Sequence, residues 1–181
     1  MKMPDALDKV LLDEETIAAR VRKLAAQISA DYAGIDELVL IGVLKGAFIF
    51  LADLARHLTV THCVDFIALS SYTRSAISRG AVRLIMDTRA SVTDRHVLIV
   101  EDIVDTGFTL DYLLRNFRAR KPASLHTCTL LSKPDRRQVN VPIDYLGFEI
   151  SDVWVVGYGL DYNDRFRTLP YIAALKQQAH G

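Results

Sequence analysis

The sequence predicts an α/β fold, a mainly parallel twisted sheet flanked by helices, organised as a single domain over residues 1–181. Three observations carry that expectation. Apolar runs such as LVLIGVL (residues 38–44) and HVLIV (residues 96–100) are continuous rather than alternating, as strands covered on both faces require. Each hands over within a few residues to apolar spacing of the helical kind, and such strand–helix alternation is the pattern of a parallel sheet. The chain's 181 residues, 50% hydrophobic and 24% charged with 9 Gly and 5 Pro, have the length and balance of one folded domain. That balance excludes a disordered, collagenous or low-complexity chain.

Taken in order, Asp13 offers an N-cap and Glu14 and Glu15 suit the positive first turn of a helix. Ile17, Val21, Leu24, Ala25 and Ile28 then share one helical face as far as Gly34. A strand over residues 38–44 follows, then a turn holding Lys45 and Gly46, then a helix over residues 47–58. Strands over residues 63–69 and 82–87 bracket SSYTRSAISRG (residues 70–80), which has no apolar periodicity and is a candidate mobile loop. The run HVLIV passes through EDIVDTG into a helix over residues 108–118, with Leu110, Leu113, Leu114 and Phe117 on one face. Residues 124–131 form another apolar strand, and residues 145–150 and 153–156 are shorter β segments.

Charge and motifs narrow the chemistry. Lys plus Arg and Asp plus Glu both number 22, so no summed field draws the chain to nucleic acid or anionic lipid, and any phosphate site is local. Cys63 and Cys128 stand far apart in apolar runs, which suits buried free thiols in a reducing, cytoplasmic compartment and excludes a zinc spacing. The richest apolar segment, residues 38–52, is broken by Lys45 short of the ~20 residues a membrane-spanning helix needs. Neither the G-x-G-x-x-G turn of dinucleotide-binding oxidoreductases nor the G-x-x-x-x-G-K-[ST] loop of nucleoside triphosphatases is present. His57, His62, His96, His126 and His180 share no spacing that suggests a role.

The densest chemistry lies in VLIVEDIVDTGFTL (residues 97–110). A buried strand ends in two adjacent acids, Glu101 and Asp102, and Asp105, Thr106, Gly107, Phe108 and Thr109 then open a helix. Free backbone N–H groups and the helix dipole favour an anion there. Either Asp105 or Thr106 caps the helix while the two acids are solvated, or the acids and the helix start together hold a polyhydroxy, phosphorylated ligand. Lys45 is likewise either a solvated turn residue or a phosphate contact. Trp154, the single tryptophan, lies between valines and is either core or a stacking surface.

VLIVEDIVDTGFTL resembles the phosphoribosyl pyrophosphate signature of the type I phosphoribosyltransferases. The turn LKG (residues 44–46), SSY (residues 70–72), LLSKPDRR (residues 130–137) and LGFEISDVWVVGYGLDYNDRFRTLP (residues 146–170) are similar in order and spacing to the hypoxanthine-guanine branch. That resemblance implies the type I fold with a small C-terminal hood over the base site. It implies an enzyme that transfers 5-phosphoribosyl from phosphoribosyl pyrophosphate to a 6-oxopurine for purine salvage, with Mg2+ as cofactor and assembly as a homo-oligomer, a dimer or tetramer. The alternative on the same fold is a phosphoribosyl pyrophosphate-sensing regulator that binds nucleic acid. Zero net charge, and too little chain for an added DNA-binding module, stand against it.

By the same resemblance, Glu101 and Asp102 hold the ribose hydroxyls and the metal, Asp105 is the acid/base at purine N7 and also a member of the ribose-phosphate site, and Thr106, Gly107, Phe108 and Thr109 receive the 5′-phosphate. Phe108 stands where relatives often carry a basic residue. Lys45, Gly46 and Arg167 match the pyrophosphate contacts, with a non-proline cis peptide expected at Leu44–Lys45. Lys133, Trp154, Val155, Leu160 and Asp161 match the purine site, and Asp161 is also a metal contact. Ser71 and Tyr72 match the functional dipeptide of a closing loop. That loop departs from the glycine-rich pattern of bacterial relatives through Arg74, Ala76, Ile77 and Arg79.

Overall fold

The computed structural model describes residues 4–71 and 82–176. Six strands form the main sheet: β2 (Leu38–Leu44), β3 (His62–Ser71), β4 (Val82–Met86), β5 (His96–Val104), β6 (Ser124–Ser132) and β7 (Tyr145–Glu149), in the order β4-β3-β2-β5-β6-β7. All neighbouring pairs are parallel except β3 with β4 at one edge. Helices α1 (Glu14–Asp31) and α2 (Phe48–His57) cover one face and α3 (Phe108–Ala119) the other.

The continuous apolar runs follow from this layering. Leu38 and Leu40 of β2, with Leu98 and Val100 of β5, pack into the core under α1 and α2. Val39, Ile41, Val97 and Ile99 point the other way, onto Leu110, Leu113 and Phe117 of α3. Alternate side chains enter different cores, so no position can be polar until the strands run out. Asp13 caps α1 as expected, accepting a hydrogen bond from the Thr16 amide at 2.8 Å. That helix ends at Asp31, three residues before Gly34, with Tyr32 as its C-cap.

Other boundaries also shift. β5 runs on to Val104 and so carries both acids inside the strand rather than after it. β3 includes Ser70 and Ser71, which the sequence placed in the loop; Tyr72, Arg74, Ala76, Ile77 and Arg79 lie outside the described residues.

A second sheet was not foreseen. β1 (Leu7–Leu12), β8 (Val155–Val156) and β9 (Ile172–Leu175) form an antiparallel sheet in the order β1-β9-β8 around Leu7, Val156, Leu169, Ala173 and Leu175. The hood therefore draws on the N-terminal segment as well as the C-terminal one. Among the described residues no helix is long and apolar enough to cross a membrane. Both cysteines are free, Cys128 buried and Cys63 partly so.

Candidate active site

The order β3-β2-β5-β6 reverses direction between β2 and β5: the chain leaves β2 into α2 on one face and β5 into α3 on the other. A crevice opens at the carboxyl ends of two such strands, and ligands bind there in open α/β sheets. β2 delivers Lys45 and Gly46 to this place and β5 delivers Glu101, Asp102 and Asp105. The Leu44–Lys45 peptide is cis.

Glu101 is 4% exposed, which removes the solvated alternative for this acid, and its Oε2 is buried without a hydrogen-bond partner among the described residues. Burial pushes its carboxyl well above the usual range, the neighbouring Asp102 charge pushes the same way, and Arg137 opposes both. Burial also raises Asp102 to about 6, held back by its backbone hydrogen bonds and by Arg167. Such a pair is short of cations or hydroxyl donors, and supplying them is what a ligand can do there.

Gly46 is pressed onto Asp102. A Cβ on Gly46 would lie 1.5 Å from Asp102 Oδ2, so only glycine allows the approach. Gly46→Ala is accordingly expected to displace the Asp102 carboxylate and weaken the binding of a metal-bound, phosphorylated ligand at these acids by roughly 10–100-fold, the size of one lost charge-assisted hydrogen bond. A calorimetric titration giving the parent affinity would contradict this placement.

The helix that follows β5 starts without a side-chain cap. Its N-cap is Gly107, at a φ of 92° that suits glycine, and among the described residues no side chain bonds the first-turn amides. Asp105 and Thr106 are therefore not caps, and the amides after Gly107 remain available to an anion. Glu101, Asp105, Thr106, Gly107 and Thr109 line a cavity of about 80 Å³ at this point. The chain after β6 packs against its rim, with the Gln138 and Val139 amides both donating to Thr106 O, at 3.0 and 3.1 Å.

At the end of β2, Lys45 Nζ lies 3.0 Å from Asp164 Oδ1, with the lysine side chain mostly exposed. Arg167 pairs with Asp161 at 2.7 Å and with Asp164 at 3.0 Å, and donates to Gly159 O at 2.8 Å. Asp161 also accepts from the Asp164 amide. Lys45 and Arg167 thus meet around an acid, Asp164, that sequence reasoning passed over, with Asp161 beside them.

At the end of β6, Lys133 is 7% exposed and its amide donates to Val104 O at 3.0 Å, so it is no surface residue before Pro134. Its Nζ is 3.7 Å from Asp152. Asp152 also pairs with Arg136 at 3.5 Å, and Arg136 Nε donates to Asp105 Oδ1 at 3.1 Å. Trp154 is 52% exposed, edge-on to Tyr162 with ring centroids 6.1 Å apart, which decides against the core alternative. Val155 and Leu160 are buried, and Val155 is paired with Ala174 of β9.

Arg136, Arg137, Asp152 and Asp164 were not singled out from sequence. LLSKPDRR contained two of them, but a charge run carries no mark of which side chain turns inward. Among the described residues no three His, Cys, Asp or Glu group as a metal cage. The orphaned Glu101 Oε2 and the raised Asp102 carboxyl nevertheless fit a hard cation that keeps waters and takes its other oxygens from a substrate's phosphates.

Residues 9–163 match the phosphoribosyl transferase domain. The chain is 47% identical over 174 residues to the hypoxanthine-guanine phosphoribosyltransferase of Bacillus subtilis, covering 96% of each. It is 43% identical over 175 residues to the enzyme of the same name from Dictyostelium discoideum, covering 95% of this chain and 97% of that one. Among solved structures, a Trypanosoma cruzi hypoxanthine phosphoribosyl transferase, studied for its oligomeric state and activity, superposes with a TM-score of 0.93 at 43% identity, covering 99% of this chain and 96% of that one.

Proposed function

The chain belongs to the phosphoribosyl transferase family, in its hypoxanthine-guanine branch, and we propose that the crevice between β2 and β5 is where it works. It is a pentosyltransferase of purine salvage, transferring 5-phosphoribosyl from phosphoribosyl pyrophosphate to hypoxanthine or guanine, with IMP or GMP and pyrophosphate as products. The nucleic-acid-binding alternative finds no support among its relatives. The close approach of Gly46 to Asp102 carries the assignment, because it sets a lysine-bearing turn directly against one of the two adjacent acids.

In this reading the amides of Thr106, Gly107, Phe108 and Thr109, with the Thr109 hydroxyl, receive the 5′-phosphate, as an uncapped helix start suits a dianion. Ribose hydroxyls donate to Glu101 and Asp102, satisfying the buried oxygens. Lys45, the Gly46 backbone and Arg167 hold the pyrophosphate, and both cations exchange their present partner, Asp164, for it. Trp154 offers an exposed ring for the purine to stack on, Leu160 lies against the base, and Val155 supplies backbone contacts beside it. Asp105 takes the proton from purine N7 as the ring nitrogen attacks the anomeric carbon, and returns it in the reverse direction. Glu101, Asp102 and Asp161 would hold Mg2+, which supplies charge neutralisation to the leaving pyrophosphate. Ser71, at the end of β3, and Tyr72 after it take the part of shielding the reacting centre from water.

The single-domain organisation, a cytoplasmic location and assembly as a dimer or tetramer complete the proposal. Two free cysteines support a reducing compartment, and exposed Val64, Ile85 and Met86 on the β3–β4 edge supply apolar surface for association.

The acid pair also predicts proton linkage. Burial raises Asp102 to about 6 and pushes Glu101 upward as well, so the free protein carries protons here at mildly acidic pH that a cationic or hydroxyl-donating ligand must expel. Affinity for magnesium–phosphoribosyl pyrophosphate is expected to fall as pH drops through about 6, approaching tenfold per pH unit for each protonated group. Calorimetry in two buffers of different ionisation heat reads the released protons. The portion lost in Glu101→Gln/Asp102→Asn belongs to the protein rather than to the substrate's phosphate. Unchanged proton release and unchanged affinity in that double variant would contradict the assignment.

A further inference from the structure

Lys133 is a buried ammonium, and a buried charge needs a partner that both neutralises it and fixes where it points. Asp152, in the connection between β7 and β8, is that partner, 3.7 Å from Lys133 Nζ. Its other carboxylate oxygen lies 3.5 Å from Arg136, whose Nε donates to Asp105 Oδ1 at 3.1 Å. One carboxylate thus stands between the lysine at the purine side and the arginine that holds Asp105. The two ends are also tied through the backbone, where the Lys133 amide donates to Val104 O, one residue before Asp105.

We propose that Asp152 is a positioning residue for purine recognition: it aims the Lys133 ammonium at the base and anchors Arg136 against Asp105, so that base contact and proton transfer share one support. The inference rests on the base-site reading of Lys133. Asp152 does not touch the purine. With its side chain about half exposed it is free to follow the base as it enters, whereas the buried Lys133 is confined by its surroundings. Half of a surface ion pair contributes little in water, but a carboxylate that orients a buried ammonium acts through the geometry of the group it orients.

Asp152→Asn keeps size and shape and removes the charge. It is expected to raise KM for hypoxanthine roughly tenfold, the order of one lost charge-assisted contact, and to narrow the preference for hypoxanthine over adenine, while KM for phosphoribosyl pyrophosphate and the melting temperature stay at parent values. Asp152→Glu should restore most of the hypoxanthine KM, and Asp152→Asn should add little to Lys133→Ala, since both act through one contact. An unchanged hypoxanthine KM in Asp152→Asn, beside a large loss in Lys133→Ala, would overturn this inference while leaving the base site intact. Equal rises in KM for both substrates would overturn it as general loosening. Should Lys133→Ala itself keep hypoxanthine use, the base-site reading fails, and this inference with it.

Discussion

Asp105→Asn is expected to fold normally and bind both substrates while forming nucleotide roughly 10²–10⁴-fold more slowly, the range for loss of a positioned proton acceptor. The substitution is a narrow one in this site. An asparagine carbonyl can still accept from Arg136 Nε as the Asp105 carboxylate does at 3.1 Å, and the cavity shared with Thr106 and Gly107 keeps its shape. What the amide cannot do is take a proton from purine N7. Single-turnover measurements with both substrates saturating separate this step from binding and release. Turnover near the parent rate would remove Asp105 from its role as acid/base.

The second large effect concerns which purine is used. An ammonium has donors only, so Lys133 can satisfy a carbonyl oxygen at purine C6 but faces an exocyclic amino group with nothing that accepts. Because Lys133 is buried, that mismatch strands a charge away from water, and a site built for one hydrogen-bonding pattern rejects the wrong one strongly. Adenine is therefore expected to be used at least ~10³-fold less efficiently than hypoxanthine. Lys133→Ala should lose hypoxanthine and guanine use far more than phosphoribosyl pyrophosphate binding. A variant that lost both equally would show Lys133 to be a structural support only.

What the sequence made legible follows from where its signals are local. The passage from β5 to α3 could be read because an apolar strand, three acids and a glycine fall within fourteen residues, VLIVEDIVDTGFTL, and each constrains its neighbours. The main sheet was legible because both faces of β2 and β5 are buried, leaving unbroken apolar runs. The second sheet was not. β1 buries Leu7 alone among the six residues of LDKVLL, and its partner Ile172–Leu175 lies at the other end of the chain, so no local pattern announces the pairing. Asp152, Arg136 and Asp164 escaped for a related reason. A charged residue in a polar stretch looks like solvated surface until the fold sets it beside Lys133, Asp105 or Lys45. Trp154 went the other way: flanking valines suggest core, yet the ring is about half exposed, and only its place in the family pattern pointed outward.

One competition tests the purine site most directly. The protein is given phosphoribosyl pyrophosphate, Mg2+ and an equimolar mixture of hypoxanthine, guanine and adenine, and the nucleotides formed are separated and counted. The site described here predicts IMP or GMP, or both, with pyrophosphate released in equal amount and AMP at or below about a thousandth of the total. AMP in amounts comparable with the others, or no nucleotide at all, would contradict it.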